Sequence, residues 1–417
     1  MEDMLGRGYA IDPGTALRLL IEKLPSKFLH EKIVKIEDSL GMICSQDIIS
    51  EEDLPAFARS TVDGYAVKAE DSFGATETMP IYLNISEEVF MGTRPHFVPS
   101  RGEACKIPTG GMLPPGTDAV AMFEHVQLID EKMIEVLRQV VPGENVIQSG
   151  EDVRKGETVI PRGRKMRPQD IGACAGIGVT EVRVYEKLLV SIISTGDEIV
   201  PAGSTPGMGQ VRDINSYVLA AMISASGHIP FRKGILKDDY QSIRAVVERS
   251  LKDSDAVMVS GGTSVGTKDM IARIINDIGT PGVVFHGVSL KPGKPMIGGV
   301  VEGIPIFGLP GHPAAVSVCF EIFIQPVLAL LSGLRERYPQ YAARTVDARL
   351  SKNVSSSQGR EEHIRVMLEE KDDSLWATPV LGKSGLISTL VKADGTFVIP
   401  VNINGLERGE IVEVRLF

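Results

Sequence analysis

The sequence is poor in cysteine, and the few cysteines that it has are scattered. Cys44, Cys105, Cys174 and Cys319 are the four cysteines among 417 residues, and no two of them form a CxxC pair. A disulfide framework or a zinc ribbon needs closely spaced cysteines, so both are excluded. This cysteine usage is typical of a reducing compartment.

The N-terminus lacks the features of an export signal. Residues 1–4 carry no basic charge, and the chain soon becomes amphipathic instead of continuously apolar. The most apolar stretch, residues 314–331, is interrupted by Glu321, Gln325 and Pro326, so it predicts a buried helix and not a membrane span. We therefore expect a cytoplasmic protein with no membrane contact.

The chain also has no excess of positive charge. Its formal net charge of −10 disfavours a broad nucleic-acid surface, but it leaves room for a local basic pocket that binds small anions. Hydrophobic residues make up 43% and charged residues 24% of the chain, which indicates globular and not disordered structure. A length of 417 residues predicts about two to four domains.

Signatures of several common enzyme classes are missing. No Ser-His-Asp or Cys-His arrangement has a recognisable pattern, and the seven histidines are scattered. The segment from Gly261 to Lys268 resembles a P-loop, but Thr267 separates Gly266 from Lys268, so the GxxxxGK[ST] pattern is not matched. A nucleoside triphosphatase is therefore disfavoured.

The first half of the chain predicts two domains. Residues 12–24 have the apolar spacing of a helix, with a proline in the first turn. Short apolar runs broken by Pro and Gly predict a small mixed, strand-rich domain at 49–151. Residues 1–48 together with 152–186 are expected to form an elongated connecting domain. Between 150 and 186 we expect irregular structure, with the basic cluster at 162–167 as a solvated face.

Strand-like and helical segments alternate between residues 187 and 334. Short Val/Ile-rich runs separated by helical periods predict a doubly wound, mostly parallel α/β domain with helices on both faces of its sheet. Such sheets bind ligands beyond the carboxyl ends of their strands. From residue 335 to 417, alternating apolar residues predict a small, barrel-like β domain.

Five polar loops follow predicted strands of the α/β region, and we expect them at one rim of the sheet. Glycines let backbone N–H groups approach an oxyanion, hydroxyls add donors, and helix N-termini favour negative charge. One such loop is most often a tight turn, but five on successive strands predict a phosphate-binding rim. The loops are Ser194–Glu198, Lys237–Asp239, Ser260–Asp269, Lys291–Pro295 and Gly308–Pro313.

Carboxylates follow three of these strands. Some are expected to cap helices. Several carboxylates beside a phosphate would repel it unless a hard cation intervened, and Mg²⁺ binds through one or two carboxylates plus substrate phosphates. The sequence therefore predicts Mg²⁺ as a cofactor. The carboxylates are Asp197, Glu198, Asp238, Asp239 and Asp269.

Two lysines in the fourth loop predict an anion clamp. Lys291 and Lys294 are separated by Pro292 and Gly293, and Pro295 follows them. Prolines stiffen the backbone, so the two ammonium groups are held near one point.

Motifs in one order along nearly the whole chain resemble the MoeA and gephyrin E-domain family. Besides the loops above, the matching motifs are Ser60–Ala66, Pro108–Gly110, Gly116–Val120 and Gly150–Asp152. The resemblance implies a molybdopterin molybdenumtransferase, which catalyses the last step of molybdenum cofactor biosynthesis. In this family, molybdate enters the dithiolene of adenylylated molybdopterin as the link to AMP is cleaved. Tungstate, a tetrahedral dianion of similar size, is an alternative oxyanion.

The resemblance also implies a homodimer with shared active sites and a set of site residues. The catalytic residues would be Asp269, Asp238, Glu198, Asp63 and Thr109, and the Mg²⁺ ligands would be Asp269, Asp238, Glu198 and Asp197. Asp63, Thr109 and Asp152 would act across the dimer, and Arg360 and Ser384 would bind the oxyanion beside the lysines. The substrate-binding residues would be Asp152, Gly261, Gly262, Ser264, Lys291, Lys294, Pro295, Pro310, Pro313, Arg360 and Ser384.

The chain departs from the family pattern at two places. Gly311-His-Pro-Ala-Ala315 stands where the family usually has Gly-Asn-Pro, a small residue and Ser, and Phe285-His-Gly287 lacks a lysine that some members carry. Two other functions stay open. A molybdopterin adenylyltransferase shares the α/β domain, although such proteins resemble that domain alone. A gephyrin-like scaffold would display a surface for partner proteins and would not need the carboxylates.

Overall fold

A computed structural model describes residues 10–24, 30–261, 265–335, 344–356 and 359–417, without the side chains of residues 265–268. The elements before residue 187 are, in chain order, α1 (Pro13–Glu22), β1 (Glu31–Lys35), β2 (Ile48–Ile49), β3 (Arg59–Ser60), β4 (Gly64–Val67), β5 (Ile81–Glu88), β6 (Glu103–Ile107), β7 (Ala119–Met122), β8 (Val126–Asp130), β9 (Met133–Val136), β10 (Val146–Ile147), β11 (Thr158–Ile160), α2 (Pro168–Gly176) and β12 (Glu181–Tyr185).

The elements of the second half continue this numbering. They are β13 (Leu189–Thr195), β14 (Ile199–Val200), β15 (Val211–Arg212), α3 (Asn215–Ala225), β16 (Ile229–Leu236), α4 (Tyr240–Asp253), β17 (Ala256–Gly261), α5 (Val265–Ile278), β18 (Pro281–His286), β19 (Leu290–Lys291), β20 (Ile297–Val301), β21 (Ile304–Leu309), α6 (Pro313–Cys319), α7 (Gln325–Leu331), β22 (Thr345–Leu350), β23 (Val354–Ser355), β24 (Glu361–Lys371), β25 (Ser374–Pro379), α8 (Ser388–Val391), β26 (Gly395–Ile399), β27 (Gly405–Leu406) and β28 (Ile411–Leu416).

The predicted N-terminal helix is present as α1. Asp12 caps it by accepting a hydrogen bond from the Thr15 N–H at 2.9 Å. Pro13 occupies the first turn, where its missing N–H costs no helical bond. Hydrogen bonds from Thr15 lower the pKa of Asp12. The apolar face of α1, with Ala16 and Leu20 fully buried, packs into the core of the α/β domain.

The segments before and after residues 49–151 pair with each other. β1 lies antiparallel to β12, and β2 lies antiparallel to β11. Between these pairings the chain forms a six-stranded sheet in the order β7-β4-β6-β5-β9-β8. This sheet buries its own apolar residues, among them Leu83, Ile107 and Ile134. The strand-rich unit is therefore inserted into a domain that is formed by two separate segments of the chain.

The expectation of irregular structure between 150 and 186 is wrong, because this segment contains α2. Pro168 begins the helix, and the Arg167 N–H donates to Asp170 Oδ2 at 2.9 Å. The expectation that the basic cluster is a solvated face is also wrong. Arg164 and Arg167 lie 3.1 Å and 3.0 Å from the buried carboxylate of Asp170. These ion pairs have a structural role at the start of α2.

A six-stranded sheet forms the centre of residues 187–334, in the order β16-β13-β17-β21-β20-β18. β16, β13, β17 and β21 are parallel, and β20 is antiparallel to both β21 and β18. β18 therefore runs in the same direction as the four parallel strands. The chain order changes direction at β13, and open α/β sheets bind ligands at such a switch point.

Helices cover both faces of this sheet, as predicted. Leu219 and Ile223 of α3 join α1 and residues of α6 and α7 in one apolar core. Ile243 of α4 and Ile274 of α5 belong to a second core on the other face. A central strand contributes to both cores, since Ile192 of β13 belongs to the first and the neighbouring Ile193 to the second. The doubly wound fold is confirmed.

One helical run, Pro313–Leu331, is long and apolar enough to cross a membrane by length and composition alone. It comprises α6, a π-helical segment at Phe320–Ile324 and α7. Of its apolar window, 67% is buried inside the protein, and Phe320 and Phe323 pack in the core of the α/β domain. The structure therefore agrees with the prediction of a buried helix.

A closed barrel of five strands forms the C-terminal domain. Its strands follow the order β24-β25-β22-β28-β26, and β26 pairs with β24 to close it. Val366, Phe397 and Val414 fill its interior. β19, which comes from the α/β region of the sequence, adds to the outside of the barrel beside β24. The barrel-like prediction is confirmed.

Candidate functional site

The carboxyl ends of five codirectional strands lie at one edge of the central sheet, which we call the rim. β13 and β17 make their last backbone pair at Thr195 and Gly261, and β17 and β21 make theirs at Ser260 and Leu309. The loop that contains Lys291 runs from the end of β18 to the start of β20, at the same rim. The predicted loops after β13, β16, β18 and β21 therefore lie at one rim. The loop predicted at Ser260–Asp269 is shorter than expected, because α5 begins at Val265 and contains Asp269, and residues 262–264 lie outside the described residues.

A pocket of about 390 Å³ opens at the rim, and we call it the strand-end pocket. Its volume suits a small-molecule site. The segment that leads into α3 forms one wall, and the loop after β21 forms another. Its polar lining residues are Glu198, Arg212, Asp213, Asn215, Ser260 and His312.

Asp213 places a hydrogen-bonded carboxylate in this wall. Its Oδ2 accepts hydrogen bonds from Ser194 Oγ at 3.0 Å and Ser216 Oγ at 2.6 Å, and its Oδ1 accepts from the Ser216 N–H at 3.1 Å. The bonds from Ser216 cap the first turn of α3. The bond from Ser194 ties this cap to the end of β13.

Asn215 connects two further strand ends. Its Nδ2 donates to Ser260 Oγ and to the Gly311 carbonyl oxygen, both at 3.0 Å. A carbonyl oxygen can only accept, so the orientation of the carboxamide is fixed. Asn215 Oδ1 is buried and has no hydrogen-bond partner among the residues that the structure describes.

Gly261 must be glycine for a steric reason. Its φ is 150°, and a Cβ at this position would lie 1.8 Å from the Thr195 carbonyl oxygen. The backbones at the ends of β13 and β17 are therefore packed directly against each other. Two other predicted substrate-binding residues of this loop, Gly262 and Ser264, lie outside the described residues.

The four predicted Mg²⁺ ligands follow three different strands. Glu198 lines the strand-end pocket, Asp238 is partly exposed, and Asp197 and Asp269 are exposed. Within the described ranges, no three carboxylate, histidine or cysteine side chains form a group that could hold a metal ion by themselves. A cation at this rim would therefore need oxygen ligands from a substrate as well.

Asp239, the fifth carboxylate of the rim loops, caps a helix. Its Oδ2 accepts a hydrogen bond from the Ser242 N–H at 2.8 Å, at the start of α4. Hydrogen bonds from Ser242 lower the pKa of Asp239. The expectation that some of the carboxylates cap helices is met here.

A second pocket, of about 260 Å³, lies between the Lys291 loop and the barrel, and we call it the barrel-side pocket. Lys291 Nζ is 2.8 Å from Glu362 Oε1. The Glu361 N–H donates to the Ser289 carbonyl at 2.8 Å, which fixes the loop against the barrel. The charged or hydroxyl-bearing lining residues are Lys291, Glu362, His363, Arg365, Lys383 and Ser384.

Arg365 brings a nearly buried positive charge to this pocket. Its residue is 8% exposed, and Nη2 makes a long contact of 3.4 Å with the Gly382 carbonyl oxygen. Among the described residues, no carboxylate forms an ion pair with it, and its Nε lacks a hydrogen-bond partner. Burial lowers the pKa of the guanidinium. An anion in the barrel-side pocket would supply the missing counter-charge.

The two pockets meet at a contact between the α/β domain and the barrel. His312 Nδ1 and Ser384 Oγ are 2.8 Å apart, and the Ala314 N–H donates to the Ser384 carbonyl at 3.2 Å. His312 lines the strand-end pocket, whereas Ser384 lines the barrel-side pocket. Ligands bound in the two pockets would be neighbours.

The remaining predicted rim residues are distributed around these pockets. Lys294 and Pro295 are partly exposed on the Lys291 loop, and Pro310 and Pro313 are buried on either side of the Gly311–His312 turn. Arg360 is exposed and does not line the barrel-side pocket. Its role in anion binding stays a prediction.

Asp63 and Thr109 lie together in the strand-rich domain. Asp63 Oδ1 accepts hydrogen bonds from the Thr109 N–H at 2.8 Å and from Thr109 Oγ1 at 3.1 Å. Asp152 is exposed where the chain leaves this domain, and its N–H donates to the Leu54 carbonyl at 3.1 Å. These hydrogen bonds do not join the three residues to the rim of the same subunit.

Sequence reasoning missed Asp213, Asn215 and Arg365. The run Asp213-Ile-Asn-Ser216 before a helix is typical of an N-terminal cap. It does not predict the hydrogen bonds that Asp213 and Asn215 make to the ends of the strands. Arg365 lies between the buried Ile364 and Val366. A charged residue between apolar neighbours in a predicted strand was the available signal.

Family models match three successive parts of the chain. The models describe the MoeA N-terminal region (domain I and II) at residues 11–178, a probable molybdopterin binding domain at 191–330, and the MoeA C-terminal region (domain IV) at 347–417. Together they match most of the N-terminal region, the α/β domain and the barrel.

Individual proteins match along nearly their whole length. A Methanocaldococcus jannaschii protein named for molybdopterin biosynthesis is 36% identical, with 96% of this chain and 97% of the relative covered. A Bacillus subtilis molybdopterin molybdenumtransferase is 30% identical, with 92% and 89% covered. The crystal structure of a molybdopterin biosynthesis MoeA protein from Pyrococcus horikoshii matches with a TM-score of 0.84 and 32% sequence identity. The match covers 98% of this chain and 100% of that protein.

Proposed function

Because the chain belongs to the MoeA family, and is thus a transferase of molybdenum cofactor biosynthesis, we propose that it inserts molybdate into adenylylated molybdopterin with release of AMP. The observation that carries this proposal is the pair of adjoining pockets at the rim. One suits a pterin phosphate, and the other has an unpaired cation for an oxyanion. Molybdate is the oxyanion that the names of the relatives favour, and tungstate is chemically similar.

The strand-end pocket would bind the pterin phosphate. Gly261 lines this pocket where the backbones at the ends of β13 and β17 pack against each other, and Ser260 and His312 add polar groups to the wall. The carboxylates of Glu198, Asp238 and Asp269 would face the charged link between the pterin phosphate and AMP. Their role is to hold the charge-neutralising cation and to orient the link for cleavage.

Mg²⁺ fits the chemistry of this donor set. Carboxylate oxygens are hard ligands, and the lack of a complete protein cage among the described residues matches an ion that binds through one or two carboxylates plus substrate phosphates. One or two of Glu198, Asp238, Asp269 and Asp197 would hold it, together with phosphate oxygens of the substrate. When bound, Mg²⁺ supplies Lewis-acid stabilisation of negative charge on the phosphates.

The barrel-side pocket would bind molybdate. Arg365 offers a planar fork of donors, and Ser384 adds a hydroxyl donor. Lys291 and Lys294 would contribute further positive charge from the loop at the pocket mouth. The contact between His312 and Ser384 holds the oxyanion beside the pterin. Binding next to the reacting sulfurs raises the local concentration of molybdate.

We also propose that the active protein is a cytoplasmic homodimer with shared active sites. Asp63 and Thr109 are preorganised by their mutual hydrogen bonds, yet these bonds do not link them to their own rim. Asp63, Thr109 and Asp152 of each subunit would complete the cleft formed by the α/β domain of the other subunit. The corresponding domains are 1–48 with 152–186, 49–151, 187–334 and 335–417.

Purified protein incubated with adenylylated molybdopterin, Mg²⁺ and molybdate tests the function. We expect AMP release that depends on molybdate and a matching gain of pterin-bound molybdenum, measured by chromatography and metal analysis. Formation of adenylylated pterin from ATP would instead show the adenylyltransferase. Absence of both reactions in protein that folds and dimerises would contradict any transferase role and favour a scaffold.

A further inference from the structure

One short segment, Asp213–Ser216, is bonded to the ends of three strands of the central sheet. Asp213 holds Ser194 of β13, and Asn215 holds both Ser260 of β17 and the Gly311 carbonyl after β21. Each of these three strands is followed by a loop of the rim. The segment therefore acts on three loops at the same time.

These side-chain bonds lie at the end of the backbone pairing. Ser194 and Ser260 still pair with each other, whereas Gly311 lies beyond the last pair of β21. The last backbone pairs are Thr195 with Gly261 and Ser260 with Leu309. Beyond these pairs the sheet ladder no longer sets the distance between the chains. Asn215 crosses this point, because its two hydrogen bonds of 3.0 Å join Ser260 inside the ladder to the Gly311 carbonyl oxygen beyond it. Asp213 fixes the same segment to Ser194 at 3.0 Å.

Burial makes these bonds rigid. Asp213 and Asn215 are each 8% exposed, and Ser194 and Ser260 are each 1% exposed. Water therefore cannot easily replace a bond that is lost, and a donor or acceptor left alone would carry the full desolvation cost. The carboxamide has one stable orientation because the Gly311 carbonyl requires a donor.

Asn215 also carries a cost that stability alone does not explain. Its Oδ1 is buried without a hydrogen-bond partner among the described residues. Buried acceptors are usually satisfied, and exceptions concentrate at functional sites. The carboxamide is thus retained for its two donated bonds.

We propose that Asn215 and Asp213 are positioning residues that set the spacing of the three rim loops and thereby the affinity for the pterin phosphate. This proposal rests on the proposed function for the identity of the ligand. Neither residue needs to touch the substrate, because a shift of one loop relative to the next misplaces donors that must act together. The barrel-side pocket is lined by none of the residues in these bonds and meets them only through the His312–Ser384 contact, so its affinity for molybdate should change much less than that for the pterin.

Asn215→Asp tests the proposal, because it keeps the side-chain shape and removes the two donors. We expect the KM for adenylylated molybdopterin to rise at least about tenfold, because one lost buried hydrogen bond is worth about that factor. The molybdate concentration for half-maximal rate should change by less than about threefold.

Asn276→Asp is the matched control in the same domain. Asn276 uses its Oδ1 to accept from the Val283 N–H at 2.8 Å, so this substitution adds the same charge and removes no donor in use. Thermal unfolding of both variants separates positioning from stability. A KM for the pterin that is unchanged, or a loss of rate explained by a smaller folded fraction alone, would overturn the proposal.

Amide hydrogen exchange provides a readout that needs no substrate. In Asn215→Asp, peptides covering 194–199 and 308–313 should exchange faster than in Asn276→Asp. Equal exchange in both variants would refute the positioning role even if the enzyme is active. If Asn215→Asp exchanges faster while the wild-type protein itself releases no AMP, positioning is supported and the proposed function fails, so the two outcomes are distinguishable.

Discussion

The strand-end pocket and the barrel-side pocket differ in whether their buried charged side chain has partners within the protein. In the strand-end pocket, Asp213 is surrounded by hydroxyl and N–H donors of its own domain. In the barrel-side pocket, Arg365 is as deeply buried but has no carboxylate partner among the described residues. The Asp213 carboxylate therefore has its partners without a ligand, whereas the Arg365 guanidinium lacks a counter-charge among the described residues.

This difference suits the two pockets to different tasks, one to orienting the substrate and the other to selecting an anion. A pocket whose walls are internally bonded keeps its shape and can orient a large substrate for cleavage. A pocket with an unpaired cation loses stability until an anion enters, so it selects by charge. Substitutions on the two sides should therefore change different kinetic parameters.

Asp269→Asn should have the largest effect, because it acts on the strand-end side, where we propose that cleavage occurs. We expect AMP release to fall about 10²–10³-fold, while binding of adenylylated molybdopterin is retained. Excess molybdate should not restore the rate, since the barrel-side pocket is intact. Single-turnover AMP release measures this effect.

Asp277→Asn on the same helix is the control for Asp269→Asn. Asp277 accepts a hydrogen bond from the Tyr240 hydroxyl at 2.6 Å, away from the rim loops. Its variant should release AMP at the wild-type rate. Full AMP release by Asp269→Asn at ordinary Mg²⁺ would remove Asp269 from the catalytic group.

Arg365→Met should have an intermediate effect that molybdate can overcome. We expect the molybdate concentration for half-maximal rate to rise about 10–100-fold, with the rate restored at saturation. Without an anion, the unfolding temperature should not fall, because an apolar side chain replaces an unpaired buried charge. Molybdate should raise the unfolding temperature of the wild type and not of the variant.

Arg360→Ala is the natural comparison for Arg365→Met. As an exposed arginine outside the pocket, Arg360 should change the molybdate requirement by less than about threefold. If Arg360→Ala raised the molybdate requirement as much as Arg365→Met or more, Arg360 would be the oxyanion-binding residue, as the sequence predicted.

Glu362→Gln should have the smallest effect and the opposite sign. Glu362 holds the Lys291 ammonium at 2.8 Å and thus competes with an entering oxyanion. Neutralising it should lower the half-saturating molybdate concentration about two- to fivefold, because the lysine becomes available. Titration with molybdate measures this shift, and weaker binding would mean that Glu362 positions the lysine instead of competing for it.

The sequence predicted the fold of the α/β domain because the information there is local. Alternation of Val/Ile-rich runs with helical periods distinguishes strands from helices, and each rim loop directly follows its strand. The segment 150–186 was misjudged because Gly172, Gly176 and Gly178 suggested turns. Its helix depends on Pro168 and on the capping carboxylate of Asp170, which a count of glycines does not reveal.

The site was predictable where a residue acts within its own loop. Lys291 and Ser384 line a pocket of the rim, in agreement with their predicted region. Asn215 and Arg365 were not predictable in the same way. The role of Asn215 arises when Ser260 and Gly311, distant in sequence, meet at one point, and the role of Arg365 depends on which side of a barrel strand faces the Lys291 loop.

The insertion of the strand-rich domain has a consequence for the order of folding during synthesis. β1 pairs with β12, and β2 pairs with β11. The connecting domain therefore cannot form all of its strand pairs until residue 185 has left the ribosome. The six strands between β4 and β9 pair among themselves and are complete some fifty residues earlier. Domains generally fold as units when their residues are available. The inserted domain should therefore fold first, while β1 and β2 are still unpaired.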